Sequence, residues 1–150
     1  MKKIASLITA ILLLAIPLTA CQRNNEQVIT GSERDKIIAI ADPIEDNLLN
    51  GIKSGDYATF SKDFDPAMKK AFLEPDLVNL RYTFSTKMGV YQSREVSSVL
   101  SATANNQTHY IVIYTLHFTK YQALTHRLVL TNTPPYQIAG LWYNFPQLGQ

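Results

Sequence analysis

The stretch 108-THYIVIYTLHFT-119 is read with a period of two: Tyr110, Val112, Tyr114, Leu116 and Phe118 share one face, the pattern of a β-strand. The run 123-ALTHRLVLT-131 repeats it, with Leu124, His126, Leu128 and Leu130 set against Thr125, Arg127 and Thr131. Residues 90–103 and 136–145 complete a set of four expected strands. The links between them are short. Asn105-Asn106 suits a turn that needs positive φ, Lys120 to Gln122 makes the second connection, and Asn132 to Pro135 makes the third. Short links between successive strands imply an antiparallel meander. One apolar and one polar face imply helices covering a single side.

Upstream the period lengthens. Ile37, Ile38, Ala41, Ile44, Leu48, Leu49 and Ile52 recur every three to four residues, which predicts a helix over 33–53 with Ser32 as its N-cap. Asp35 in its first turn suits the helix dipole. Pro43 lies inside it and predicts a kink or two abutting helices. Gly55 ends the segment. Asp56 then caps a short helix over 57–64, and Asp65-Pro66 opens another over 66–72. A last helix is expected over 76–88, with Gly89 closing it. The expected class is therefore α+β, with N-terminal helices packed on one face of a curved four-stranded antiparallel sheet.

The chain begins with a different signal. Met1-Lys2-Lys3 is basic, Ile4 to Leu18 is almost wholly apolar, and Thr19 and Ala20 are small. This is the pattern of a secretory signal peptide. The apolar run is shorter than the roughly 20 residues that span a bilayer, and it carries Pro17. Leu18-Thr19-Ala20-Cys21 resembles the lipobox of bacterial lipoproteins. That resemblance implies cleavage before Cys21 and acylation of its thiol, so that the membrane becomes a partner through lipid. It also explains the only cysteine of the chain, which has no disulfide partner within it. Gln22 is not the aspartate that retains such proteins at an inner membrane, which favours the outer membrane where the source has two. Residues 1–20 are read as signal, 21–32 as a lipidated, flexible polar tether, and 33–147 as the domain.

Removing the signal takes away Lys2 and Lys3. The 14 Lys plus Arg fall to 12, equal to the 12 Asp plus Glu. A nucleic-acid partner would call for a basic surplus on one face. The mature chain has none.

The element order, together with 50-NGIKSGDY-57, Phe60, Phe64 and the closing 138-IAGLW-142 before Pro146, resembles the nuclear-transport-factor-2-like superfamily, closest to exported members of unknown function. The resemblance implies a cone-shaped fold, and Gly140 suits a bulge in its last strand. Enzymes of that superfamily use a pocket at the cone mouth, often with an Asp–His pair or a lone Asp. No such motif transfers here. His117 and His126 fall on opposite faces by alternation. His126 is on the apolar face, where a histidine is more often a hydrogen-bonded core residue than a catalyst. Asp63 and Asp65 flank Phe64 at a helix junction, and Asp65-Pro66 reads as a cap. No metal constellation, phosphate-cradling loop or nucleophile elbow is present, and no cofactor is expected. Tyr114, His126, Tyr143 and Phe84 are the candidate pocket lining, with the tyrosines offering polar tips.

Three functions follow as expectations. The first is an anchored, non-catalytic domain binding a small ligand or an envelope protein. The second is a pocket enzyme of isomerase or hydrolase type centred on His126. The third is an assembly role as a homodimer through Ile111, Ile113 and Val129.

Overall fold

A computed structural model describes residues 25–104 and 106–145. The signal segment, Cys21 and Pro146 lie outside the described residues. The class is α+β, with helices on one face of an open, fully antiparallel sheet of five strands in sequential order. These are β1 (Asn25–Val28), β2 (Tyr91–Ala104), β3 (Gln107–Phe118), β4 (Leu124–Thr131) and β5 (Ile138–Asn144).

The expectation of four strands is corrected by β1. Residues 25–28, expected within the tether, pair with β2 from Asn25↔Thr103 to Val28↔Leu100. The four residues are mostly polar because one side of an edge strand faces water, so no apolar alternation betrays them. The β2–β3 turn is as short as expected: Ala104 pairs Gln107, and Asn106 takes φ +60.

Helix α1 (Gly31–Ser54) is a single uninterrupted helix of 24 residues, about 36 Å long at 1.5 Å per residue. Pro43 neither ends it nor divides it, and its N-cap is Thr30 rather than Ser32. Asp42 and Asp46, on either side of Pro43, both pair with Arg94 of β2, which holds the helix across that point. Gly55 follows at φ +76 and its N–H closes on the Gly51 carbonyl, the left-handed cap that glycine adopts without strain.

The expected caps of the next two helices are present. Asp56 accepts from the Ala58 and Thr59 N–H groups to open α2 (Tyr57–Phe60). The Thr59 hydroxyl, then those N–H groups, hold its carboxyl below the usual carboxylate range. Asp65 accepts from Met68 N–H at 2.7 Å to open α3 (Pro66–Ala71). Helix α4 (Glu74–Thr83) begins two residues before the expected 76, because Asp76 accepts from Leu73 N–H at 2.8 Å and Pro75 suits a first turn. It runs into a π-helical turn, Phe84–Met88, which Gly89 closes.

The core lies between α1 and the inner sheet face. Ala41, Leu48 and Ile52 meet Val112, Leu116, Leu128 and Ile138. Phe60, Phe64 and Phe72 pack ring to ring and seal one end, where residues 63–65 bond to both backbone groups of Ile138 and cover the start of edge strand β5. Phe84 and Phe118 pack edge-on at the other end.

Candidate functional site

Three rings form a row across the inner face because register aligns them: Tyr114 on β3 pairs His126 on β4, which pairs Tyr143 on β5. The imidazole lies nearly parallel to both, 4.3 Å from the Tyr143 ring and 6.2 Å from that of Tyr114. Glu45 reaches the row from α1, with its Oε2 3.0 Å from His126 Nε2. Nδ1 lies 3.0 Å from the Trp142 carbonyl. A carbonyl only accepts, so Nδ1 carries a hydrogen. One further proton is shared along the Nε2–Oε2 line. Whether it sits on nitrogen or oxygen, the pair has no net charge, which is how both residues stand at 0% exposure.

Two polar atoms beside this pair have no hydrogen-bond partner among the described residues: Glu45 Oε1 and the Tyr143 hydroxyl. Burial, and then the Glu45 carboxylate, push the Tyr143 hydroxyl well above its ordinary pKa. Burial and the neighbouring Asp42 do the same to Tyr114, which donates to Asp42 Oδ1 at 3.1 Å. Both tyrosine hydroxyls therefore stay protonated. The row ties helix to sheet and offers no group to solvent.

A second tie lies one strand over. Arg94 on β2 pairs with Asp46 and, at 3.5 Å, with Asp42, both on α1. Burial works against its charge, but the two carboxylates outweigh that and hold it firmly protonated. Its guanidinium sits 5.7 Å from the Tyr114 ring centre, within cation–π range.

Beside Arg94 opens a groove of about 480 Å³, between α1, the π-helical turn and the start of β2. Leu49, Val90 and Tyr91 line it with apolar surface, over the buried side chains of Ile52, Phe84 and Phe118. Lys53, Arg81 and Arg94 bring positive charge, against the single carboxylate of Asp46. Asp46 is engaged by Arg94, and neither Lys53 nor Arg81 is in an ion pair among the described residues. The groove therefore combines an apolar body with a cationic rim, and its volume suits a small molecule.

Of the four pocket candidates, Phe84 lines this groove. Tyr143 packs behind Phe84, with ring centres 5.1 Å apart, while His126 and Tyr114 lie deeper in the closed core. Glu45, Lys53, Arg81 and Arg94 were not singled out by the sequence. Glu45 did carry a signal. It follows Ala41 by four residues and precedes Leu48 by three, so a carboxylate stands within the apolar stripe of α1 and calls for a buried partner. His117 and His126 are on opposite faces: His117 is on the outer side with Glu95 at 3.8 Å. Asp63 accepts from Asn47 at 2.6 Å. Among the described residues, no three His, Cys, Asp or Glu side chains gather as a metal site, and no helix is long and apolar enough to cross a membrane.

Comparison with known proteins finds no matching family model, no matching curated protein and no matching solved structure.

Proposed function

We propose that this chain is an exported lipoprotein, anchored through lipid on Cys21, whose domain binds a small amphipathic anion in the groove without transforming it. The anchor is supported by the order of basic start, apolar run and 18-LTAC-21, and Gln22 favours the outer membrane of a two-membrane envelope. The domain is read as an open variant of the nuclear-transport-factor-2-like fold, from the sequence of one long helix, short helices and antiparallel strands. The binding reading is carried by one observation: Lys53 and Arg81 rim an apolar groove without carboxylate partners among the described residues. A carboxylate or phosphate head group satisfies that rim, and its apolar tail covers Leu49, Val90 and Tyr91.

Burial weighs against catalysis by the Glu45–His126 pair, since a general base must come within hydrogen-bond reach of its substrate. It also weighs against the dimer through Ile111, which is 2% exposed and offers a second copy almost no surface.

Calorimetric titration of the mature chain with decanoate, and with decanol as the uncharged control, tests the reading. Decanoate is expected to bind and decanol to bind far less. Lys53→Ala and Arg81→Ala are each expected to weaken decanoate by roughly tenfold, because a hydrogen bond to a charged group contributes about 1.5–3 kcal/mol. Equal binding of the two probes, or decanoate affinity unchanged in both variants, contradicts the proposal.

A further inference from the structure

Strand β1 starts at Asn25, only four residues after Cys21. Fully extended, four residues span at most ~14 Å. An acylated Cys21 therefore holds the Asn25 end of the sheet close to the bilayer. Register carries that end across the sheet. Asn25 pairs Thr103, Thr103 pairs Thr108, and His109 pairs Thr131, so the β2–β3 turn and the β4–β5 loop lie at the same end. Phe118, in the groove lining, is ten residues further along β3, about 34 Å away at the strand rise of ~3.4 Å.

We infer that the protein stands on the lipid surface on this Asn25 end, with the adjoining half of the outer sheet face against the head groups and the groove turned away from the membrane. The inference rests on the anchor proposed above. Its independent support is the chemistry of that end. Residues 104–109 and 131–138 contain no Asp, Glu, Lys or Arg.

The outer face divides in two. Toward the Asn25 end, register sets Val28, Leu100, Ile111, Val129 and Gly140 in one row; Val28 and the Trp142 ring, which folds over Gly140, stand exposed at its two ends, while Leu100 and Ile111 between them are covered. Val28 is 70% and Trp142 56% exposed, although both are large and apolar. Among the described residues, the two charges on this half of the outer face, Glu26 and Arg127, neutralise each other in a 2.6 Å ion pair. On the helical side, Asp63 and Asp65 flank the same end and are engaged by Asn47 and the Met68 N–H. Toward the groove end the outer face turns polar, with Ser93, Glu95, Thr115, His117 and Thr125. A neutral patch bearing an exposed tryptophan matches the interfacial zone of a bilayer, where tryptophan concentrates. The polar half matches water.

The chain has one tryptophan and one cysteine. Acylation of Cys21 leaves any introduced cysteine as the only free thiol. Lipidated protein carrying Thr133→Cys in the β4–β5 loop or Ala123→Cys in the β3–β4 loop, both exposed positions, is labelled with a fluorophore. Each is placed in phosphatidylethanolamine–phosphatidylglycerol vesicles with and without lipids brominated near the head group. Intact mass first establishes the acyl chains, and an unchanged urea midpoint establishes the fold of each variant. Bromine is expected to quench most of the Trp142 emission and most of the label at 133, and to leave the label at 123 unquenched. In acylated protein, equal quenching at both labels, or quenching at 123 alone, overturns the orientation and leaves the anchor standing. A dimer mass in detergent with Trp142 shielded from bromine overturns it in favour of a second copy on this face. A mass without lipid removes the anchor and the orientation with it.

Discussion

Glu45→Ala is expected to lower folding stability by about 3–5 kcal/mol, read as a fall in the urea midpoint of the protein without residues 1–20 at an unchanged denaturant slope. The figure follows from where the pair sits. Glu45 and His126 are both at 0% exposure and their shared proton makes them jointly neutral, so removal of the carboxylate strands the imidazole in an apolar layer. The Trp142 carbonyl fixes hydrogen on Nδ1, which leaves Nε2 as the atom without a partner. Replacing both residues at once, Glu45→Leu with His126→Phe, is expected to be less damaging than Glu45→Ala, because no polar group is then left unpaired. Tyr143→Phe is expected to be nearly neutral, since its hydroxyl has no partner among the described residues. A Glu45→Ala variant within about 0.5 kcal/mol of the parent, the range of an ordinary surface change, contradicts this reading of the core.

Phe60→Ala is the second large effect, also about 3–5 kcal/mol, as expected for emptying a buried aromatic site. Helix α2 has four residues, too few to be stable alone. Its position is set by Phe60, which is 1% exposed and packs 5.2 Å from Phe64 and 5.0 Å from Phe72. On the other side it rests on α1 at Gly51, where a Cβ would fall 2.5 Å from the Phe60 backbone. Backbone against backbone leaves nothing flexible to absorb the loss. Phe60→Leu, which keeps most of the volume, is expected to cost less than half as much. A loss below about 1 kcal/mol for Phe60→Ala, which is typical of sites outside well-packed cores, means that the aromatic trio does not seal this end.

The parts of this molecule that were legible in the sequence are those governed by local rules. The strands from 90 to 145 announced themselves by alternation, and Asp56 and Asp65 by cap chemistry. His126 declared its burial by standing among Leu124, Leu128 and Leu130. The parts that were hidden depend on partners distant in the chain. Strand β1 exists because β2 offers it an edge roughly 75 residues away in sequence, and its own four residues carry no period to detect. The continuity of α1 through Pro43 depends on tertiary contacts: Arg94 holds Asp42 and Asp46, and His126 holds Glu45, on either side of that point. The groove was hidden for the same reason. Lys53, Arg81 and Arg94 come from α1, α4 and β2, and only the fold brings them to one rim.

Position ties the account together. A short tether, an end that carries the exposed Val28 and Trp142, and a cationic groove at the opposite end fit together as one object when Cys21 is acylated. The most direct measurement is the intact mass of the protein purified from its host membrane, beside a Cys21→Ser variant. The account predicts a mature chain starting at Cys21 with acyl chains attached, and a variant that is left unprocessed or released from the membrane. A mature chain cut elsewhere and free of lipid contradicts it.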